Sequence, residues 1–281
     1  MTDKKNLLLK IGKISFANLF PIYYYLENKC DHSNYKFING VPSTLNKMLR
    51  NGKIDLSPSS SIEFLRRRKK YSIIPWLSIS SEGPIRSIYL FSKYPMESLN
   101  KKSIAVSSQS ETSVVLLKII LRDFYSLKCK FATVNSGSVK RLLSDFSAGL
   151  LIGDDAMKAK KQSNPPSPPF VKGGKGGFYI YDLGELWFRH TGLPFVFAIC
   201  IVRNETLSEK KELLKKFAYD LIDAKKYASE KFSLIARHAP QRKWLSREEL
   251  IGYWKGISYD FTERHMEGLR LFEKYARKLN F

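Results

Sequence analysis

The feature that most constrains the fold is an alternation of short β-branched runs with longer amphipathic runs. The short runs have the length of buried strands. The longer runs repeat apolar residues at helical spacing, as Leu45, Met48 and Leu49 do. Such an alternation is typical of βαβ units, in which helices connect parallel strands and cover the sheet. The sequence therefore predicts an α/β fold with largely parallel sheets.

Strands and helices can be assigned along most of the chain. We expect strands at Leu8–Ser15, Lys36–Asn39, Ile54–Ser57, Ser87–Lys93, Ser103–Ser107, Phe131–Val134, Leu150–Gly153, Tyr179–Asp182 and Phe195–Val202. We expect helices at Pro21–Asn28, from Pro42 to a turn at Gly52, and at Ile62–Lys70, Thr112–Tyr125 and Val139–Phe146. From Thr206 onward the pattern predicts helices, including Ser246–Lys255 and Thr262–Leu279.

One segment does not fit this alternation. Asn164–Pro169 contains four prolines and Gly173–Gly177 reads Gly-Gly-Lys-Gly-Gly, so neither helix nor strand is expected there. The glycine run is similar to a phosphate-binding loop, but it lacks the Gly-Lys-Ser/Thr ending and a strand immediately before it. We therefore expect residues 162–177 to form a mobile surface insertion that contains no active-site motif.

The net charge is strongly positive, with 48 basic and 26 acidic residues and a formal charge of +22. Such a charge attracts nucleic acid, anionic membranes or anionic metabolites. The lysines are nevertheless spread along the whole chain, and the densest basic run, Arg66–Lys70, lies at a predicted helix end. No nucleic-acid-binding motif accompanies them. A solvated basic surface, without a nucleic-acid partner, is the favoured interpretation.

The N-terminal sequence and the cysteines indicate a cytoplasmic protein. The apolar run Leu7–Leu9 is cut by Lys10, far short of the core of a signal peptide. No apolar stretch approaches the length of a membrane span, so we expect no membrane insertion. Cys30, Cys129 and Cys200 are widely spaced and odd in number, which suits a reducing compartment.

The sequence offers no support for metal-dependent or nucleophilic catalysis. His32, His190, His238 and His265 are not spaced as metal ligands. There is no Gly-x-Ser-x-Gly motif and no cysteine with an evident histidine partner. We interpret His190 as a surface residue rather than a catalyst.

Polar clusters occur at four places where a predicted strand gives way to a loop or helix, which is where open α/β sheets bind ligands. They are Ser15–Asn18, Ser80–Ser87, Ser107–Ser113 and Gly153–Ala156. In Ser107–Ser113, the free amides and positive end of the following helix would bind an anion, with hydroxyls as further donors. The four clusters together predict one pocket for a small carboxylate.

Each cluster also has a structural alternative. Ser110 or Thr112 would cap the helix with or without a ligand. Arg86 could clamp a carboxylate or pair with Glu82. Asp154 could be a base, a hydrogen-bond acceptor or a helix cap, and Asn18 could be only a turn residue.

Several longer strings resemble the chorismate dehydratase family, which catalyses the first step of the futalosine route to menaquinone. The strings are Ser15–Asn18, Gly40–Ser43, Gly83–Ser87 followed by Leu90–Lys93, Leu151–Asp154, Tyr181–Trp187 and Thr191–Ala198. The resemblance runs from about residue 8 to the C-terminus, apart from the insertion. The Asp-Leu-Gly-Glu and Thr-Gly-Leu-Pro-Phe-Val-Phe-Ala strings are long enough to be specific.

The resemblance implies a type II periplasmic-binding-protein-like fold, with two α/β lobes, a substrate cleft between them and a helical C-terminal tail. Mapped onto this chain, lobe one would comprise residues 1–94 and 195–281. Lobe two would comprise residues 95–194, including the insertion at 162–177. The strands Ser87–Lys93 and Phe195–Val202 would form the hinge.

The resemblance also implies a reaction. Chorismate would lose water and aromatise to 3-[(1-carboxyvinyl)oxy]benzoate, without a metal or redox cofactor, and the substrate's own enolpyruvyl carboxylate would take the proton. Asn18 and Ser87 would be catalytic, holding or polarising the reacting ring substituents. The implied substrate-binding residues are Ser15, Gly83, Arg86, Ser108, Thr112, Ser113 and Asp154.

Two alternatives remain open beside nucleic-acid binding. A sister dihydroxynaphthoate synthase shares the fold but begins with a Ser-Pro-x-x-Asn-Asp-type motif, which Ser15–Asn18 does not match. A non-catalytic binding protein of the same fold would also hold a small carboxylate, although such receptors normally carry an export signal.

Overall fold

The computed structural model describes residues 7–134, 138–163 and 178–279. The chain forms two compact units. Unit 1 comprises Met1–Ser80 and Val196–Met266, and unit 2 comprises Ser81–Phe195 and Glu267–Phe281. Most of the predicted insertion, residues 164–177, lies outside the described residues.

Strands and helices alternate along most of the chain, and helices alone follow the last strand. The strands are β1 Leu9–Ile14, β2 Tyr35–Gly40, β3 Leu56–Ser60, β4 Tyr71–Ser81, β5 Ile88–Ser92, β6 Ser103–Ser107, β7 Lys130–Val134, β8 Ala148–Ile152, β9 Tyr179–Asp182 and β10 Phe195–Arg203. The α-helices are α1 Phe20–Asn28, α2 Pro42–Arg50, α3 Ser61–Arg66, α4 Glu111–Ile119, α5 Val139–Asp145, α6 Gly153–Gln162, α7 Leu183–Thr191, α8 Asn204–Glu209, α9 Lys211–His238, α10 Arg247–Lys255 and α11 Glu263–Arg277.

Unit 1 is built on a five-stranded sheet in the order β2-β1-β3-β10-β4. Strand β1 is parallel to β2 and β3, whereas β10 is antiparallel to β3. The strands bury side chains such as Ile11, Leu56 and Ile199 completely. Because β1, β2 and β3 are parallel, their carboxyl ends lie at one edge of the sheet, and Ser15 follows β1 there.

Unit 2 is built on a second five-stranded sheet, in the order β7-β6-β8-β5-β9. Strand β6 is parallel to β7 and β8, and β5 is antiparallel to β8 and β9. Tyr89 and Phe91 of β5 pack against Leu142 of α5 in one core cluster. The fully buried Trp187 lies against Phe195, with ring centroids 5.1 Å apart.

Most predicted elements are confirmed, with β6 and β9 at their predicted bounds. Three were missed: β4, α6 and α7. Strand β4 contains Pro75, which argues against a central strand but is tolerated because β4 lies at the sheet edge. The predicted helix Thr112–Tyr125 is shorter, since α4 gives way to a π-helical turn over Ile120–Phe124. The sheets are also mixed rather than largely parallel, because β5 is antiparallel to β8 and β9, and β10 is antiparallel to β3.

The lobes implied by the resemblance, residues 1–94 with 195–281 and residues 95–194, stay a prediction. Strand β5, placed in lobe one by the sequence, hydrogen-bonds to β8 and β9 in unit 2. Residues 267–277, which are most of α11, also lie in unit 2. In the described part of the chain, no helix is long and apolar enough to cross a membrane.

Candidate active site

One edge of the sheet in unit 2 gathers three of the four polar clusters. Strands β6 and β8 are parallel, so Ser107 and Ile152 both end at this edge. Strand β5 is antiparallel to β8, and its first residue, Ile88, pairs with Ile152. The amide of Gly153 donates to the carbonyl of Ser87 over 2.7 Å, which joins two of the clusters directly. The cluster residues at this edge are Gly83–Ser87, Ser107–Ser113 and Gly153–Ala156.

The loop before β5 has an uncommon backbone conformation. Gly83 has a φ of 113° and Arg86 a φ of 61°, a region that residues with a side chain rarely adopt. The amide of Arg86 donates to the carboxylate of Asp182 over 2.7 Å. The next residue, Ser87, is only 3% exposed, whereas Arg86 is exposed. The loop therefore places a buried hydroxyl beside a surface guanidinium.

The first turn of α4 carries several hydroxyls at the same edge. Ser110 Oγ accepts the amide of Ser113 over 3.3 Å and lies 3.0 Å from its hydroxyl, so the predicted Ser110 cap is confirmed. Thr112 and Ser113 are each 1% exposed, whereas Ser108 is exposed. The amides and positive dipole of this helix end favour an anion. This turn can bind a carboxylate.

Asp154 lies in the first turn of α6 and is half-buried. The helix cap is Ile152, which contributes no side-chain bond, so Asp154 is not the cap residue. Gly153, with a φ of 61°, turns the chain sharply from β8 into the helix. A carboxylate at this position is stabilised by the helix dipole.

Asn18 lies at the carboxyl edge of the sheet in unit 1, in a short 3-10 turn, Ala17–Leu19, after β1. Its side-chain oxygen Oδ1 is buried and has no hydrogen-bond partner among the described residues. A buried polar atom without a partner is uncommon in proteins, because it costs free energy to take it out of water. Ser15 precedes the turn and is exposed. The Asn18 side-chain oxygen therefore has an acceptor position that no described residue uses.

Two aromatic side chains hold this turn from the C-terminal part of unit 1. Trp254 Nε1 donates to the carbonyl of Ala17 over 2.8 Å, and the Tyr259 hydroxyl donates to the carbonyl of Asn18 over 2.5 Å. Burial raises the pKa of Tyr259 well above its ordinary value, so its hydroxyl remains a donor. Together they fix the backbone that carries the Asn18 side chain.

The predicted site residues fall into two groups. Gly83, Arg86, Ser87, Ser108, Thr112, Ser113 and Asp154 lie in unit 2, and Ser15 and Asn18 lie in unit 1. That all of them line one cleft stays a prediction. Sequence reasoning missed Asp182, Trp254 and Tyr259. The spacing of Asp182 and Glu185 is a helix-cap signal, but no local pattern marks the two aromatic residues.

His190 belongs to neither group. Its ring is exposed and stacks on Phe124 with centroids 4.6 Å apart, so the prediction of a surface residue is confirmed. Across residues 7–134, 138–163 and 178–279, no group of three or more His, Cys, Asp or Glu residues is arranged to hold a metal ion.

Comparison with known proteins identifies the family. A sequence model described as menaquinone biosynthesis matches residues 9–278. The chain belongs to the menaquinone biosynthesis family. A curated relative from Thermus thermophilus, named chorismate dehydratase, is 31% identical over 265 residues, which cover 93% of each chain. A chorismate dehydratase from Campylobacter jejuni is 31% identical over 275 residues, covering 96% of this chain and 98% of the relative.

Solved structures confirm the predicted fold for this family member. A protein from Archaeoglobus fulgidus superposes with a TM-score of 0.78 at 16% identity and covers 99% of each chain. The periplasmic aliphatic sulphonate binding protein of Escherichia coli gives a TM-score of 0.67 at 12% identity, covering 98% of this chain and 87% of the other. At these identities the likeness shows the periplasmic-binding-protein fold alone.

Proposed function

We propose that this protein is a chorismate dehydratase that converts chorismate to 3-[(1-carboxyvinyl)oxy]benzoate in the futalosine route. The observation that carries the proposal is the 31% identity to two proteins of that name, over more than nine-tenths of each chain. The fold itself does not decide the function, because a fold can serve many chemistries. The sites at the two sheet edges must therefore fit the reaction.

The reaction removes one water from the cyclohexadiene ring. A ring C–H bond and the ring C–OH bond break, a ring double bond forms, and the hydroxyl leaves as water. Aromatisation drives the step, so the protein has to orient a dianion and stabilise the departing hydroxyl. The substrate's enolpyruvyl carboxylate is proposed to accept the ring proton, which then passes to the departing hydroxyl and completes the water. This class of reaction is a carbon–oxygen lyase of the hydro-lyase type.

The residues in unit 2 suit the carboxylates of chorismate. The amides of the first turn of α4, with the hydroxyls of Ser108, Thr112 and Ser113, would bind one carboxylate. Arg86 would supply a positive charge for the substrate. Asp154 would position the substrate from the first turn of α6. Gly83, whose φ is positive and which has open space around the position of a Cβ, would allow close approach of the backbone.

Asn18 and Ser87 would act on the reacting ring substituents. The argument for Asn18 is its buried Oδ1, which has no partner among the described residues and would gain one from substrate. Ser15 would contact the substrate from the same turn. Ser87 is buried at the end of a loop whose backbone is fixed by hydrogen bonds, so its hydroxyl has a defined position. We further propose that the enzyme is cytoplasmic, as expected for a step that acts on chorismate.

The second candidate is a non-catalytic protein that binds a small carboxylate. It is favoured by one observation: neighbours in structure include sulfonate-binding proteins. Incubation with chorismate, followed by mass spectrometry, separates the two. An aromatic product lighter by one water supports the dehydratase, whereas tight saturable binding of unchanged chorismate supports the binding protein.

Asn18→Ala tests the catalytic assignment. We expect kcat to fall roughly hundredfold, the size of effect seen when one group that stabilises a transition state is removed. Asn28→Ala is a matched control, because Asn28 is an exposed asparagine at the end of α1 whose side-chain amide donates to the carbonyl of Tyr24, one helix turn earlier. Full turnover by Asn18→Ala would show that the role assigned to this residue is wrong.

A further inference from the structure

Asp182 makes more hydrogen bonds than a helix cap requires. It ends β9 and caps α7, where its Oδ1 accepts the amides of Gly184 over 2.9 Å and Glu185 over 3.2 Å. The same oxygen accepts the amide of Ile85 over 3.0 Å, and Oδ2 accepts the amide of Arg86 over 2.7 Å. The residue is only 7% exposed. One buried carboxylate thus serves both a helix and a loop about 96 residues away in the chain.

The loop has a reason to need this support. Arg86 has a φ of 61°, a left-handed conformation that is unfavourable for a residue with a side chain and persists only where neighbouring contacts impose it. Its amide bond to Asp182 Oδ2 is such a contact. Because Ser87 follows directly, a change of conformation at Arg86 would redirect the Ser87 side chain.

The start of α7 also fits the loop sterically. A Cβ added at Gly184 would lie 2.7 Å from the carbonyl oxygen of Gly83 and 2.7 Å from Ser81 Oγ. The hydroxyl of Ser81 in turn donates to the carbonyl of Gly83 over 2.9 Å. The backbone of α7 therefore lies directly against the loop, with Asp182 at the centre of the contact.

Two opposing effects act on the ionisation of Asp182. Burial raises the pKa of this carboxyl from its usual value, whereas its backbone hydrogen bonds lower it. The ionised form suits the four amide donors best, since it carries no hydroxyl hydrogen near an N–H group.

We propose that Asp182 is a positioning residue for the dehydration: by holding the backbone of Ile85 and Arg86, it places Ser87 for reaction. This inference rests on the proposed function of Ser87. Asp182 itself contacts backbone amides and acts only through the loop. Its two tasks, capping α7 and holding the loop, can be separated by substitution.

Asp182→Ser and Asp182→Asn separate these tasks in different ways. Serine is a good helix cap, but its shorter side chain cannot also reach the loop amides. Asparagine keeps one acceptor oxygen for the cap and, in that orientation, points its NH2 group at the amide of Arg86. If Asp182 only capped α7, both variants would retain turnover.

The experiment measures kcat and KM for chorismate in the wild type, both variants and Ser138→Ala. Ser138→Ala is the matched control, because Ser138 caps α5 in the same unit and its hydroxyl oxygen accepts the amide of Arg141 in the adjoining helix turn. We expect kcat to fall roughly tenfold to hundredfold in both Asp182 variants, because the reacting group would be misplaced. We expect KM to stay within about threefold of the wild-type value. In the Asp182 variants, amide hydrogen exchange of the peptide that contains Ile85 and Arg86 should be faster than in the wild type. In Ser138→Ala, the exchange of this peptide should be unchanged.

The outcomes are distinct. If the wild type converts chorismate and a folded Asp182→Ser variant has the same kcat, the inference is wrong and the proposed function stands. Lower kcat without faster exchange of the loop amides also overturns it, since the loop would not have moved. If the wild type does not convert chorismate, the proposed function fails, and this inference with it. If Asp182→Ser does not fold, Asp182→Asn decides by the same criteria.

Discussion

Tyr259→Phe tests whether the C-terminal part of unit 1 positions the catalytic turn. The substitution removes one hydroxyl, which donates to the carbonyl of Asn18 over 2.5 Å, and retains the ring. Tyr259 is 9% exposed, so water cannot easily replace the lost donor. The substitution therefore removes little more than the hydrogen bond to the backbone carbonyl of Asn18, the residue whose side chain is proposed to be catalytic.

The expected loss of stability and activity depends on the hydrogen bonds that still hold the turn after the substitution. Leaving a buried carbonyl without its donor costs about 1–3 kcal/mol of folding free energy. The neighbouring carbonyl, of Ala17, is still held by Trp254, so the turn is loosened rather than released. We therefore expect the lower half of this range, about 1–2 kcal/mol, and a melting temperature lower by about 2–8 °C. We expect kcat to fall roughly tenfold, less than in Asn18→Ala, because the side chain is misplaced rather than absent.

The assay combines thermal melting by circular dichroism with turnover of chorismate at saturating substrate. Tyr219→Phe is the matched control, because Tyr219 is 60% exposed on α9. Loss of its hydroxyl should change neither quantity appreciably. A lower melting temperature with unchanged kcat in Tyr259→Phe would refute the positioning argument, since the bond would then serve stability alone.

Two further predictions concern stability and the insertion. Glu63 is fully buried and accepts from Arg50, Arg67 and Tyr71, so Glu63→Gln should cost about 2 kcal/mol and lower the melting temperature by about 4–8 °C. Glu205→Gln, which removes an exposed partner of Arg203, is the control and should change the melting temperature little. Equal decreases in melting temperature for the two variants would contradict the argument from burial. Replacing residues 164–177 by a short Gly-Ser linker should leave kcat within about twofold, because no active-site motif lies within this sequence and a change in loop length costs little free energy. A tenfold loss in a folded variant would show that the segment takes part in the reaction.

The sequence predicted the parts of the fold that depend on local patterns. Strand ends, helix starts and the Ser110 cap depend on residues that are close in sequence, and their predicted positions lie close to the observed ones. Strand β4 was missed because its proline is acceptable only at a sheet edge, and edge position is a property of the whole sheet. The antiparallel placement of β5 and β10 is likewise decided by tertiary pairing.

In the site, too, local patterns were predictable from the sequence and long-range contacts were not. Polar residues at strand ends identified the edges, but the groups that hold them came from distant parts of the chain. Asp182 reaches Arg86 across 96 residues, and Tyr259 reaches Asn18 across 241. The spacing of Asp182 and Glu185 could have indicated a helix cap, although it was missed, and nothing near Asp182 in the sequence indicates a second partner. Contacts of this range cannot be read from a local pattern.

The two supporting arrangements share one physical logic, in which backbone atoms are held while a side chain is left for substrate. In the turn after β1, the carbonyls of Ala17 and Asn18 are bonded, whereas Asn18 Oδ1 is buried without a partner among the described residues. Such an atom costs about 1–3 kcal/mol in the absence of a ligand. Asn18→Ala removes that cost together with the proposed catalytic group. We therefore expect its melting temperature to be no lower than that of the wild type, while its turnover falls. A residue retained for packing would show the opposite, since its removal would destabilise the turn and leave the chemistry unaffected.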